Sequence, residues 1–309
     1  MPELLKSLHS FPAMGCLCTV EIFHECQKSL DQVILAVEQE VLRLDRTYSR
    51  YRAESLTTQI NRTGHTGIAL EVGAEMQGLL QFADQCYQQT GGLFDITSGV
   101  LRKVWDFKSA KVPVQNDLED CLQRVGWDKV DWKAPFVRLT VPGMELDFGG
   151  YVKEYAVDCA ITICRDGGVV HGLVDFGGDI GVIGPHPDGT GWRIGIRNPR
   201  EPESAIAMIV LESGCLASSG DYERFFISEG KRYCHILNPH TGWPAQLNQA
   251  VSVIADQCVL AGMISTVTML QTESDAKSLL ESMRLNYVLV TDIGELITKT
   301  GCLSSVQQA

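Results

Sequence analysis

The chain has 309 residues, 45% hydrophobic and 21% charged, with 26 basic side chains against 38 acidic ones for a net charge of −12. A chain this long buries most of its apolar surface without disulfide or metal staples, and it admits one large domain or two small ones. The acidity argues against a nucleic-acid partner, which needs clustered Lys and Arg, and the composition excludes disorder, collagen and coiled coil.

In chain order, residues 1–17 hold no long apolar run, so they do not read as a secretory signal, and residues 1–10 are expected to be a flexible lead-in. Residues 18–23 alternate like a strand. Leu30, Val33, Ile34, Val37, Val41 and Leu44 fall at helical spacing, which predicts an amphipathic helix over 27–45. A second helix is predicted over 72–89, stopped by Gly91 and Gly92. Short strands follow at 138–148, 172–178, 192–199 and 205–213, each ended by glycine, proline or polar residues. Helices are predicted at 153–165, 259–271 and 275–283, and the tail 286–298 reads as a hairpin turning at Asp292, Ile293 and Gly294. No run reaches the ~18 apolar residues of a membrane span. Helices and strands interleave without a regular βαβ rhythm, which predicts a single α+β domain over 1–309, with two lobes.

The eleven cysteines are odd in number and scattered, without C-x-x-C. That pattern predicts reduced, mostly buried thiols and a cytoplasmic protein rather than a disulfide scaffold or a zinc site. The stretch 172–184 carries Gly177, Gly178, Gly181 and Gly184, but not as G-x-G-x-x-G, and Pro185 and Pro187 stand where a helix should begin. A dinucleotide fold is therefore a poor reading.

Three polar clusters remain. In 91–107, Asp95 sits between Phe94 and Ile96, either capping the next turn or accepting hydrogen bonds from a bound ring or ribose. In 145–160, a strand is expected to end at Asp147, two glycines follow, and a helix opens carrying Lys153. Free N–H groups at such a helix start suit an anion, and a first-turn lysine makes most sense beside one; otherwise it is a snorkelling surface side chain. In 215–245, His235 is the natural general base, although a lone strand histidine is also a common hydrogen-bonded core residue. A triad drawn from Ser219, His235 and Asp221 lacks an elbow turn for its nucleophile.

At these residues the chain resembles the FAD:protein FMN transferase family, the ApbE-like flavin transferases. The resemblance is carried in order by AMGC (13–16), YSRYRAESLTTQIN (48–61), GGLFDIT (91–97), LDFGGYVKEYAVD (146–158), VDFGGDIGVIG (174–184), WRIGIRNP (192–199), ASSGDYER (217–224), YCHILNPHTGWP (233–244) and VSVIADQCVLAGMISTVTML (251–270). It implies a flavin cleft between two lobes, FAD as substrate, Mg²⁺ as the metal, and transfer of FMN to a Thr or Ser hydroxyl of an acceptor flavoprotein, with AMP leaving. It also implies roles for particular residues. Met14 and Tyr51 would touch the flavin, Leu93, Phe94 and Asp95 would wall the adenosine and phosphate side, and Asp147, Lys153 and Ile236 would face FAD. His235 would activate the acceptor hydroxyl. Oxygens of Gly150, Ser265 and Thr266 would hold the metal.

The chain departs from the resembled pattern in three places. That pattern reads Ala-Asp-x-x-Ala/Ser-Thr, whereas this chain has Ala261, Gly262, then Ser265 and Thr266, so the aspartate is missing. Glu154 follows Lys153 where glycine is usual, which makes it a candidate replacement carboxylate, and Val100 stands for a proline. Two alternative functions are left open: an FAD-binding protein that no longer transfers, and a metal-dependent FAD pyrophosphatase.

Overall fold

The computed structural model describes residues 4–299 and the backbone of 303–304. Cys302, one of the eleven cysteines, lies outside the described residues. Strands β1 (Leu5–Ala13) and β2 (Cys16–His24) open the chain and pair antiparallel along their full length, which corrects the flexible lead-in expected through residue 10. Helices α1 (Gln27–Tyr48) and α2 (Leu56–Thr66), strand β3 (Leu70–Glu71) and helix α3 (Ala74–Gln89) follow. A 3₁₀ segment, Ile96–Lys103, leads to α4 (Gln115–Leu122), β4 (Val130–Lys133) and β5 (Phe136–Leu139). Then come α5 (Val152–Asp166), β6 (His171–Phe176), β7 (Asp179–Gly184), β8 (Trp192–Arg197) and β9 (Ala205–Leu211). Next are β10 (Gly214–Gly220), β11 (Phe225–Ser228), β12 (Lys231–Cys234) and β13 (Asn248–Ala255). The chain closes with α6 (Cys258–Met269), α7 (Glu273–Ser282), β14 (Asn286–Thr291), β15 (Leu296–Lys299) and β16 (Leu303–Ser304).

The periodic segments hold to within a few residues. In α1, Leu30, Val33, Val37, Val41, Leu44 and Tyr48 form the buried stripe. Helix α3 stops where Gly91 and Gly92 take φ of +60° and +84°, with the Gly92 N–H bonded to the Tyr87 carbonyl. The strand expected over 138–148 ends instead at Leu139, because Pro142 has no N–H for a ladder and Gly143 turns the chain at φ +78°. Helix α2, β3, α4, β4, β1 and β10 to β13 carried no clear period and were not anticipated.

An eight-stranded, wholly antiparallel sheet runs β1-β2-β6-β7-β10-β13-β14-β15. Alternation along its strands builds two cores. In β10, Cys215 and Ala217 join the main core with α1, α5 and α6, while Leu216 joins Ile180, Val182, Ile194, Ile196 and Ile209 beneath β8 and β9. The architecture is therefore helices, large sheet, small sheet β16-β9-β8, an α+β fold. A third cluster, around Trp105, Phe226, Tyr233 and Trp243, packs the 3₁₀ segment and α4 against β11 and β12. Among the described residues no helix is long and apolar enough to cross a membrane.

The glycines of 172–184 are explained by a hairpin rather than a phosphate loop. Gly177 and Gly178 turn β6 into antiparallel β7 at φ +66° and +94°, and Gly181 lies beneath α5, where a Cβ would come 2.4 Å from Ile161.

Candidate functional site

Two cavities open side by side where the strand turns of the large sheet meet the 3₁₀ segment and β12. The larger, of about 790 Å³, is lined by Met14, Arg50, Tyr51, Lys153, Glu154, Asp175 and Arg224 among others. The smaller, of about 140 Å³, is lined by Leu93, Phe94, Asp95, Ser98 and Pro239 among others. Arg102, Asp147, Gly149, Gly150, His235, Ile236 and Thr266 belong to both, and so form a waist between them.

Met14 enters the larger cavity from the two-residue turn joining β1 to β2. Its backbone takes φ +53°, followed by Gly15 at +74°, and its N–H donates to Asp45 Oδ1 at 3.0 Å. Two consecutive positive φ values are what the right-handed twist of a tight hairpin demands, yet methionine is a poor residue for the first of them. Tyr51 stands at the rim, 79% exposed, with the Arg50 guanidinium 5.8 Å from its ring centre.

The second glycine cluster sets a helix start beside the cavities, with the Tyr151 and Val152 N–H groups bonded to the Phe148 carbonyl. Gly149 and Gly150 precede α5, whose first N–H groups receive no side-chain cap, and both line the cavities. Asp147, just before them, is engaged by the protein. Its carboxylate accepts from Arg50 at 3.0 Å and from the Gly149 N–H at 2.9 Å, with Arg102 at 3.5 Å. Burial would raise its pKa, but Arg102 and Arg50 outweigh burial and hold it below the usual carboxylate range. The close approach of Gly99, where a Cβ would fall 2.3 Å from that of Asp147, is what lets the 3₁₀ segment reach this carboxylate.

Lys153 is not a snorkelling surface lysine. Its ammonium pairs with the buried Asp179 at 2.7 Å. Burial alone would lower its pKa, yet Asp179 and Glu154 raise it above the ordinary lysine value. Glu154 is only 8% exposed, and its Oε2 has no hydrogen-bond partner. Burial, then Asp179, pushes its carboxyl well above the ordinary range.

Asp95 is the cap of the 3₁₀ segment. It accepts from the Thr97 N–H and hydroxyl at 2.8 and 2.7 Å and from the Trp127 N–H at 3.2 Å, and burial pushes its pKa up. Asp95 therefore caps the segment, and its carboxylate also borders the smaller cavity. Leu93 and Phe94 wall the same cavity.

His235 follows β12, which the Trp105 aromatic cluster holds in place. Its N–H donates to the Arg224 carbonyl at 2.9 Å, while its buried Nδ1 has no partner. Burial, with Arg102 and Arg224 nearby, pushes its pKa down to about 4, so the ring is neutral at pH 7. The Ser219–His235–Asp221 triad does not assemble. Asp221 is held by a two-pronged pair with Arg200 at 2.7 and 2.8 Å, and Ser219 bonds the Ser265 hydroxyl at 2.8 Å. Ser265 itself is fully buried, its hydroxyl also donating to the Gly262 carbonyl at 3.0 Å, and it borders neither cavity. Thr266 reaches the waist and Ser265 does not.

A sequence model of the ApbE family matches residues 14–289, most of the chain and every element around the two cavities. The chain belongs to the ApbE family. It is 31% identical over 235 residues to an FAD:protein FMN transferase of Chlamydia pneumoniae, covering 74% of this chain and 72% of that one. With the FAD:protein FMN transferase of Vibrio cholerae it shares 26% identity over 304 residues, 92% of this chain and 88% of that one. The crystal structure of the ApbE protein of Thermotoga maritima superposes with a TM-score of 0.86 at 29% identity, covering 96% and 97% of the two chains.

Within this ApbE chain, several cavity residues escaped the reading of the sequence. Arg50, Arg102, Arg197 and Arg224 all line the larger cavity, and Asp179 anchors Lys153. Arg50, Asp179, Arg197 and Arg224 sit inside stretches the motifs already marked, but nothing in a string of letters says which side chain turns inward. With Lys153, these arginines set five cations against five carboxyl groups (Asp45, Asp147, Glu154, Asp175, Glu223) on the cavity wall. The chain's acidic surplus therefore lies elsewhere.

Among the described residues no three His, Cys, Asp or Glu side chains cluster as a metal site. The ten described cysteines are unpaired, seven of them buried.

Proposed function

We propose that this chain is an FAD:protein FMN transferase, the activity named for its relatives, and that residues 1–309 work as one unit. The observation that carries this reading is the position of His235, a neutral, unpartnered imidazole at the waist between two cavities. FAD is a molecule of two ends joined by a pyrophosphate. In this reading the flavin lies in the larger cavity beside Met14, Tyr51 and Ile236. The adenosine side runs toward Leu93, Phe94 and Asp95, and the pyrophosphate crosses the waist.

There His235 accepts the proton of an acceptor Thr or Ser hydroxyl. The hydroxyl oxygen then bonds to the FMN phosphorus as the bond to the AMP oxygen breaks. Arg102 and Lys153 offset the charge that moves onto departing AMP. Asp147 acts indirectly, by fixing Arg102 at the waist and Arg50 on the wall of the larger cavity.

The resemblance also implies Mg²⁺, and the donor set fits it: the Glu154 carboxyl with its unpartnered oxygen, the Thr266 hydroxyl and the Gly150 backbone border one cavity, all of them oxygens. When bound, Mg²⁺ neutralises pyrophosphate charge. The reading places the enzyme and its acceptor in the cytoplasm, a compartment that keeps unpaired thiols reduced.

The test is incubation of the protein with FAD, Mg²⁺ and several candidate acceptor flavoproteins, followed by mass spectrometry. A mass gain of one FMN on Thr or Ser is expected. Release of FMN and AMP without acceptor would instead establish a pyrophosphatase, and bound FAD without turnover a carrier. His235→Ala is expected to abolish transfer while FAD still binds; loss of FAD binding would make the histidine a cofactor contact.

A further inference from the structure

Gly262 and Glu154 are a steric pair. A Cβ placed on Gly262 would lie 2.6 Å from Glu154 Cγ, 2.9 Å from its Oε1 and 3.0 Å from its Cδ. The Glu154 side chain therefore crosses from α5 into the space that any side chain at 262 on α6 would fill. Thr266 is one turn beyond Gly262, on the same face of α6, and borders the larger cavity. Glu154 borders that cavity too, and its buried Oε2 receives no N–H or hydroxyl donor, its neighbour being a second buried carboxyl, that of Asp179. A buried carboxyl oxygen left without a donor is costly, and such atoms are rare unless a ligand completes them.

We infer that Glu154 supplies, from α5, the carboxylate ligand for a divalent cation at Thr266, and that Gly262 is the vacated position which makes room for it. Two helices have exchanged an acid and a glycine while the oxygen is delivered to the same place. The inference rests on the transferase reading for the presence of a cation, but it concerns which residue holds it.

The experiment is titration with Mn²⁺, followed by its electron paramagnetic resonance signal, without FAD or acceptor. Four proteins are compared: wild type, Glu154→Gln, Gly262→Asp, and the double variant Glu154→Gly with Gly262→Asp. Glu154→Gln keeps the shape and removes the anionic oxygen, so Mn²⁺ affinity is expected to fall about tenfold or more. Gly262→Asp alone is expected to lower the melting temperature, because both side chains claim one space. The double variant is expected to regain Mn²⁺ affinity to within about threefold of wild type, with the acid now on α6. Wild-type affinity in Glu154→Gln, no Mn²⁺ binding by wild type at millimolar metal, or a double variant no better than Glu154→Gln would each overturn the inference. If Glu154→Gln fails to fold by circular dichroism, the double variant decides alone. Transfer assays run in parallel separate the two claims. Mn²⁺ binding through Glu154 in a protein that never transfers FMN sinks the transferase reading only. Transfer with metal binding indifferent to Glu154 sinks this inference only.

Discussion

Met14 holds a left-handed backbone that asparagine or glycine would adopt with less strain, and it does so at the wall of the larger cavity. Met14→Asn is expected to stabilise the fold by up to about 1 kcal/mol in thermal unfolding while weakening FAD binding by calorimetry. An unchanged FAD affinity would mean the methionine serves the turn alone. His235 gives a second residue-scale expectation. With its pKa pushed down to about 4, the ring is already a free base across the neutral range. The acid limb of kcat/KM, which reports free enzyme, should therefore lie near pH 4 rather than at the ordinary histidine value of about 6.5. Arg102 touches the waist with a charged donor, so Arg102→Gln is expected to weaken FAD binding about tenfold, the loss of one charge-assisted hydrogen bond.

At the scale of elements, the site depends on α5 and α6 being locked together. Helix α6 has no side-chain cap of its own; its first N–H groups, from Cys258 and Val259, donate instead to Asp158 of α5 at 2.7 and 3.0 Å. Asp158→Ala is expected to cost about 1–2 kcal/mol, measured by chemical denaturation, and, by loosening Thr266, to weaken the Mn²⁺ binding proposed there. Beneath α5, Gly181→Ala should cost about 1–3 kcal/mol, since its methyl would press on Ile161 and Val157. If that variant is as stable as wild type, the glycine is not what sets the helix-to-sheet distance. The sequence marked both residues as parts of motifs but could not say why. The aspartate acts across 100 residues, and the glycine acts through a helix it does not belong to.

For the whole molecule, acid stability carries the signature of His235. In the unfolded chain the imidazole titrates near 6.5, in the fold near 4, so between those values the unfolded state binds more protons. Stability from this group is intact above about pH 6.5 and is lost as the pH falls toward 4, by about 3 kcal/mol in full. Comparing the melting temperatures of wild type and His235→Gln from pH 7 to 4 isolates the contribution. The gap should shift in favour of the variant on acidification, and a pH-independent gap would contradict the depressed pKa. Asp147, held below its usual range by Arg102 and Arg50, adds a loss at still lower pH.

The sequence by itself determined the long amphipathic helices, the turn-bounded strands, the α+β class and the set of polar loops in which the site lies. These are local consequences of period, glycine and proline, and of side chains whose chemistry is the same wherever they are placed. It also showed that position 262 lacks an acid and position 154 has one. Only the tertiary structure showed that the two positions face each other, a Cβ on Gly262 meeting the Glu154 side chain between helices more than a hundred residues apart. The same holds for the arginines on the cavity wall, for Asp179 under Lys153, and for Asp95 and Ser265. Direction and burial decide whether a polar atom faces a ligand or a backbone, and neither is written in the order of residues along a chain.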